Sequence, residues 1–115
     1  MLIFVSELKE VIRMNNLGDL QKRALEIASR YDQLNIKREG KTWERERFVK
    51  GFAKDVSDLL DIVNAPELDD AKLQHELADC LWSVLVIAHK YDVDMGQAFY
   101  KTMDELDERL DKELK

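Results

Sequence analysis

Two pairs of acidic residues have the spacing of a carboxylate metal site. Asp55 and Asp58 are three positions apart, and so are Glu76 and Asp79. Residues at this spacing lie about one turn apart on one face of an α-helix, so each pair presents two carboxylates side by side. Only a short segment containing Pro66 separates the two predicted helices. The sequence therefore predicts antiparallel neighbouring helices that bring four carboxylates together.

The chemistry of these side chains favours a hard divalent cation. Clustered carboxylates repel one another unless a cation lies among them, and oxygen ligands suit Mg²⁺, or Mn²⁺ as a second choice, rather than zinc. His75 and His89 are isolated in the sequence, and we interpret them as ordinary surface or packing histidines. A solvated helix face is the simpler explanation of such acidic pairs. The apolar neighbours of Glu76 and Asp79 favour a metal site instead, because an unpaired carboxylate at the margin of a core is costly.

The composition predicts one globular domain that spans residues 1–115. Hydrophobic residues make up 45% of the chain and charged residues 37%, with only four Gly and one Pro, a balance typical of a helical domain with short connections. The net charge of −6 argues against binding to duplex nucleic acid, which needs a basic surface. A phosphorylated ligand is compatible with this charge if a cation mediates.

No segment is expected to enter a membrane or to direct export. The longest apolar run, residues 80–88, is too short to span a bilayer. The N-terminal sequence MLIFVSELKE lacks the basic region and the cleavage site of a signal peptide. Cys80 is the single cysteine, and we interpret it as a small buried side chain. These features predict a cytoplasmic protein.

Hydrophobic periodicity predicts an all-α fold, a homo-oligomeric bundle of about five helices with a four-helix-bundle-like core. The expected N-caps are Asp19, Thr42, the Asp69–Asp70 pair and Asp94. The predicted helices run from about Ser6 to Asn15, Asp19 to Lys37, Trp43 to Asn64, Asp70 to Tyr91, and from Asp94 to Leu114. The fourth carries the broadest apolar face and should be the most buried. The fifth carries an apolar stripe near heptad spacing, which suits packing against a partner subunit.

The segment from Trp43 to Arg109 resembles the MazG-like all-α nucleotide pyrophosphohydrolases. Their pattern is E-x-x-E on one helix and E-x-x-D on the next. The sequence FAKDVSDL at 52–59 occupies the first position, and HELADCLW at 75–82 matches the second closely. The run YDVDM at 91–95, with the apolar residues that follow it, also resembles the family's approach to its last helix. The resemblance covers well over half of the chain.

The chain departs from the family pattern in three respects. Asp55 and Asp58 stand in place of glutamates, which are one methylene longer, and Ser57 stands where glycine is frequent. In the last helix, the family often shows a K-M-x-x-N-x-x-R-Y run. Here Thr102 takes the lysine position, Leu106 takes the asparagine position and Arg109 is kept.

The resemblance implies Mg²⁺-dependent hydrolysis of a nucleoside triphosphate, with a ribose or deoxyribose sugar, to monophosphate and pyrophosphate. Nucleotide-pool house-cleaning is the role that would follow. The four acidic side chains, Asp55, Asp58, Glu76 and Asp79, would hold the metal, and one of these carboxylates would orient or deprotonate the attacking water. Arg109 and Lys54 would contact phosphates, and Trp43 would stack on the base. A solvated charge for Lys54 and a packing role for Trp43 are the simpler alternatives.

Two other functions remain open at this point. The last-helix departures favour a catalytically silent helical oligomer that binds nucleotide or a protein partner. A purely structural dimerisation module, whose acidic pairs are only solvated faces, is the third possibility. The family also implies a homodimer or homotetramer. Mg²⁺ binding separates the structural module from the other two functions, and turnover separates the enzyme from the silent binder.

Overall fold

Four α-helices make up the part of the chain described by the computed structural model, residues 16–115, and that range contains no strand. They are α1 (Leu17–Glu39), α2 (Arg45–Asn64), α3 (Asp70–Lys90) and α4 (Met95–Glu113). The predicted all-α class is confirmed. The predicted first helix, Ser6 to Asn15, lies outside the described residues, so a fifth helix stays a prediction. None of these four helices combines the length and apolarity needed to cross a bilayer.

Helices α1 and α2 begin at residues other than those predicted. Asn16 caps α1, because its side chain accepts a hydrogen bond from the backbone N–H of Asp19 at 2.9 Å. Asp19 therefore lies inside the first turn. Glu44 precedes α2 without a side-chain cap, so the prediction of Thr42 as N-cap was wrong. Several neighbouring polar residues can cap a helix, and local sequence alone does not decide which one does.

The remaining helix ends follow the expected chemistry. Asp69 accepts from the N–H of Lys72 at 3.1 Å, and Asp94 accepts from the N–H of Gln97 at 3.0 Å, as helix N-caps do. At the end of α1, Gly40 adopts φ 76°, a left-handed conformation that favours glycine because it has no Cβ.

The α3 helix lies at the centre and packs against both α1 and α2. The buried core consists of Ala24 and Ala28 from α1, Phe48 from α2, and Leu85 and Val86 from α3. The small alanines allow α1 to approach α3 closely. The predicted fourth helix, which is α3, contributes more buried residues than any other described helix, as expected.

The contacts between α2 and α3 show that these helices run antiparallel. Phe48, near the start of α2, lies under the ammonium of Lys90 at the end of α3, 5.3 Å from ring centroid to Nζ. Asp55, two turns further along α2, contacts Ser83, two turns earlier in α3. The predicted helical hairpin is therefore present, and it brings Asp55 of α2 into contact with α3.

The α4 helix has no buried residue, and its apolar stripe is open to solvent. Phe99 is 50% exposed and Leu110 is 51% exposed. The radius of gyration is 18.0 Å, whereas a compact domain of this length has about 13 Å. The buried core cluster of the described region comes from α1, α2 and α3, and Met95 of α4 packs against it. A four-helix-bundle-like core stays a prediction.

Candidate metal centre

Three potential metal ligands converge on one face of α3. One ligand atom from each of His75, Glu76 and Asp79 lies within 4.8 Å of the other two. The imidazole Nε2 of His75 is 3.2 Å from Oδ2 of Asp79, because residues four positions apart are neighbours on a helix. The cluster therefore offers one nitrogen and two carboxylates.

One carboxylate oxygen of this cluster has no hydrogen-bond partner in the described structure. Oε2 of Glu76 is buried, and no protein donor reaches it. A buried polar atom left unsatisfied costs about 1–3 kcal/mol, and more when it carries charge. A divalent cation among these three side chains would satisfy this oxygen, so the residues present fit such an ion.

The two α2 aspartates are held in different ways, and neither belongs to the close cluster on α3. Oδ2 of Asp55 accepts a hydrogen bond from the Ser83 hydroxyl at 2.7 Å, so this carboxylate is drawn towards α3. Oδ2 of Asp58 pairs instead with Nζ of Lys54 at 3.2 Å, along the surface of its own helix. The hydrogen bond to Asp58 and the charge of that carboxylate raise the pKa of Lys54.

The Cys80 thiol lies close enough to carboxylates of both helices for their charges to affect its pKa. Burial raises the pKa of its thiol, and the negative charges of Asp55, Glu76 and Asp79 raise that pKa further. Since these three carboxylates come from both helices, the α2 and α3 acids act on one region. The thiol stays protonated there and does not resemble an activated nucleophile.

A cleft of about 450 Å³ adjoins this acidic region. One part of its wall is polar and charged, formed by Lys54, Asp55, Asp79 and Ser83. The other part is aromatic, formed by Tyr31, Trp43, Phe48 and Trp82. The volume falls within the range of about 300–1,000 Å³ typical of small-molecule sites. The cleft can therefore take a ligand with a flat apolar end and a polar end. An anionic end would need a cation between it and the carboxylates of Asp55 and Asp79.

The aromatic wall is fixed by contacts among α1, α2 and α3. The indole Nε1 of Trp82 donates to the backbone carbonyl of Ala24 at 3.0 Å. The ring centroid of Tyr31 lies 5.7 Å from that of Trp82, and Trp43 meets Phe48 edge to face at 5.6 Å. Rigid aromatic surfaces of this kind suit stacking against a heterocyclic ring.

The predicted substrate-contacting residues lie in different places. Lys54 and Trp43 both line the cleft. Arg109 does not line it; its Nε lies 3.5 Å from a carboxylate oxygen of Glu113, on the exposed surface of α4. Within one chain, the described structure thus brings two of the three predicted contacts to the cleft.

Two polar residues at this centre were not predicted from the sequence. His75 was treated as isolated, although its spacing of four residues from Asp79 was a usable signal. Ser83 is not among the site residues predicted from the sequence, yet it is just 3% exposed and bonded to Asp55. A hydroxyl in the most buried stretch of the chain requires a partner, and this requirement was the signal that could have identified it.

The match to known proteins covers the helices that carry the acids. A model of the MazG nucleotide pyrophosphohydrolase domain matches residues 44–113, which include α2, α3 and α4. No curated protein and no solved structure matches the chain significantly.

Proposed function

We propose a nucleoside triphosphate pyrophosphohydrolase activity for this chain, which belongs to the MazG nucleotide pyrophosphohydrolase domain family. The substrate is a ribo- or deoxyribonucleoside triphosphate, and the products are the monophosphate and pyrophosphate. One observation carries the proposal beyond family membership: a single cleft joins an aromatic wall to the carboxylates of Asp55 and Asp79. A nucleotide has the same division between a flat base and a charged phosphate chain. Nucleotide-pool house-cleaning in the cytoplasm is the role that fits this activity.

The acidic residues, with His75, form the proposed metal site. Glu76 and Asp79 would hold Mg²⁺, or Mn²⁺, together with Asp55, and Asp58 would join them after leaving its pair with Lys54. A bound divalent cation supplies positive charge that offsets the charge of the phosphate oxygens. The orphaned Oε2 of Glu76 supports this assignment. A carboxylate of the set orients the attacking water and accepts its proton.

The cleft walls account for the rest of substrate binding. The base stacks within the aromatic wall, where Trp43 and Trp82 exclude water from one end of the site. Lys54, at the polar end, contacts the phosphates once its ammonium separates from Asp58. This exchange is easy, because the pair is exposed and surface ion pairs contribute only about 0–1 kcal/mol.

A homodimer or homotetramer is proposed as the working state. The apolar stripe of α4 lies on a helix that has no fully buried residue in the described part of the chain. A large exposed apolar surface on a soluble domain is typical of an interaction site. Arg109 lies on this helix and outside the cleft lining, so its proposed contact with phosphate requires α4 to reach the cleft of a second copy.

A catalytically silent nucleotide-binding oligomer is the alternative. It is favoured by the pairing of Asp58 with Lys54, which occupies one acid and one cation of the proposed site. The replacements at Thr102 and Leu106 in the last helix favour it as well. Metal and nucleotide binding without turnover would support this alternative.

A pyrophosphate-release screen tests the proposal. Ribo- and deoxyribonucleoside triphosphates are offered one at a time with Mg²⁺ or Mn²⁺, and chelation of the metal serves as the control. We expect release from at least one nucleotide and its loss in Asp79→Asn. No release from any nucleotide with either metal would reject the enzymatic function.

A further inference from the structure

Ser83 is a buried hydroxyl that connects the two helices of the candidate metal centre. It is 3% exposed, and its Oγ donates to Oδ2 of Asp55 at 2.7 Å. Ser83 follows Asp79 by one helical turn, so both side chains lie on the same face of α3. The bond therefore ties the Asp55 carboxylate of α2 to the face of α3 that carries Asp79.

The hydroxyl of Ser83 has its hydrogen-bond partner on the neighbouring helix rather than on its own. A serine inside a helix can satisfy its hydroxyl with the backbone carbonyl one turn earlier, and this local bond needs no second helix. Ser83 instead donates to a carboxylate on α2. Hydrogen bonds to an ionised acceptor are roughly twice as strong as neutral ones, and 2.7 Å is short enough for that class.

The hydrogen bond from Ser83 also limits the directions in which the two carboxylate oxygens of Asp55 can point. Aspartate has only two side-chain torsions, so holding Oδ2 sets the direction of Oδ1 as well. Among the described residues, no other side-chain hydrogen bond engages Asp55. Both Asp55 and Ser83 line the cleft. The free oxygen of Asp55 is thus preset before any ligand binds.

We propose that Ser83 is a positioning residue that holds Asp55 ready to contribute an oxygen to the divalent cation at His75, Glu76 and Asp79. This inference rests on the proposed function. Hydrogen bonds behind a ligating carboxylate fix its orientation, and their loss typically costs about 10–100-fold in metal affinity. Without the hydroxyl, Asp55 rotates away from the carboxylates of Glu76 and Asp79 until the cation arrives.

Metal binding without nucleotide is the direct test. Mn²⁺ is followed by electron paramagnetic resonance and Mg²⁺ by calorimetry, on the full chain. Ser83→Ala is expected to weaken both affinities by about 10–100-fold. Ser83→Thr keeps the hydroxyl and should restore affinity, even if its extra methyl lowers the melting temperature. Ser57→Ala is the matched control, because it removes an exposed hydroxyl two positions from Asp55 and should bind like the wild type.

A second measurement separates positioning from packing. In an Asp55→Ala background, Ser83→Ala should cause no further loss of affinity, since the two residues act through one bond. Wild-type affinity in Ser83→Ala, failure of Ser83→Thr to restore binding, or additive losses with Asp55→Ala would overturn the role of Ser83 while the proposed function stood. A wild type that binds neither metal would overturn the proposed function and this inference together.

Discussion

Nε2 of His75 lies 3.2 Å from Oδ2 of Asp79, one turn away on α3. Imidazole nitrogen is a better ligand for Mn²⁺ and other transition ions than for Mg²⁺, which prefers oxygen. His75→Gln should therefore weaken Mn²⁺ binding by about tenfold or more while changing Mg²⁺ binding much less. Calorimetric titration with each metal measures the difference.

His89→Gln is the control for this substitution, because His89 is an exposed histidine in the last turn of the same helix. It should change neither affinity. Equal losses for the two metals in His75→Gln, or no loss of Mn²⁺ affinity, would show that the imidazole is not a ligand.

Asp79→Asn should have opposite consequences with and without metal. In the absence of metal, removal of one clustered negative charge relieves repulsion, so the variant should be at least as stable as the wild type. With Mg²⁺ at about 100 times its dissociation constant, the wild type should gain about 2.7 kcal/mol by linkage. The variant should gain far less. Thermal melts with and without Mg²⁺ measure both effects.

Asp61→Asn removes a similar charge from an exposed position on α2 and is the control. It should keep the full Mg²⁺-dependent shift. If wild-type melting does not respond to Mg²⁺, even with a triphosphate present, then the acidic cluster is not a metal site.

The two tryptophans of the cleft should respond differently to the same substitution. Nε1 of Trp82 donates to the carbonyl of Ala24, whereas Nε1 of Trp43 is buried without a partner in the described part of the chain. Trp82→Phe loses a hydrogen bond, but Trp43→Phe removes an unsatisfied donor. Trp82→Phe should be more destabilising by about 2 kcal/mol. Urea unfolding followed by circular dichroism compares them, and equal losses would refute the distinction.

The exposed stripe of α4 predicts an oligomer. Leu106 and Leu110 are 42% and 51% exposed, and burying them against a second copy would remove apolar surface from water. The wild type should sediment as a dimer or tetramer at tens of micromolar, about the range in which weak dimers form. The double variant Leu106→Glu and Leu110→Glu should be a monomer.

Leu68→Glu supplies the control for assembly, because Leu68 is 55% exposed but lies between α2 and α3. Its assembly should match that of the wild type. A wild type that sediments as a monomer, or a double variant that still associates, would mean that α4 is not the interface.

The helices could be predicted from sequence because each has an apolar face that repeats with the helical period. The exact first residues of the helices could not be predicted from the sequence. Thr42 and Glu44 both precede α2, and the local sequence does not distinguish which of them is the residue from which the helix begins. The exposure of α4 was also not predicted in full, because an apolar stripe does not reveal whether its partner belongs to the same chain.

The acidic pairs could be predicted because their spacing is local to one helix. The partner of each acid could not, since it depends on how α2 and α3 are rotated against each other. Asp55 faces Ser83 across the two helices, whereas Asp58 turns to Lys54. The aromatic wall was missed in part for the same reason: Tyr31, Phe48 and Trp82 come from three helices and meet only when these pack.

Product analysis by ³¹P nuclear magnetic resonance distinguishes pyrophosphate release from other cleavages of a nucleoside triphosphate. The full chain is incubated with Mg²⁺ and an equimolar mixture of the common ribo- and deoxyribonucleoside triphosphates, beside Asp79→Asn. A metal-dependent pyrophosphohydrolase activity predicts nucleoside monophosphate and pyrophosphate with the wild type, and neither product with the variant or after chelation of the metal. Nucleoside diphosphate with orthophosphate, or undiminished turnover in Asp79→Asn, would contradict it.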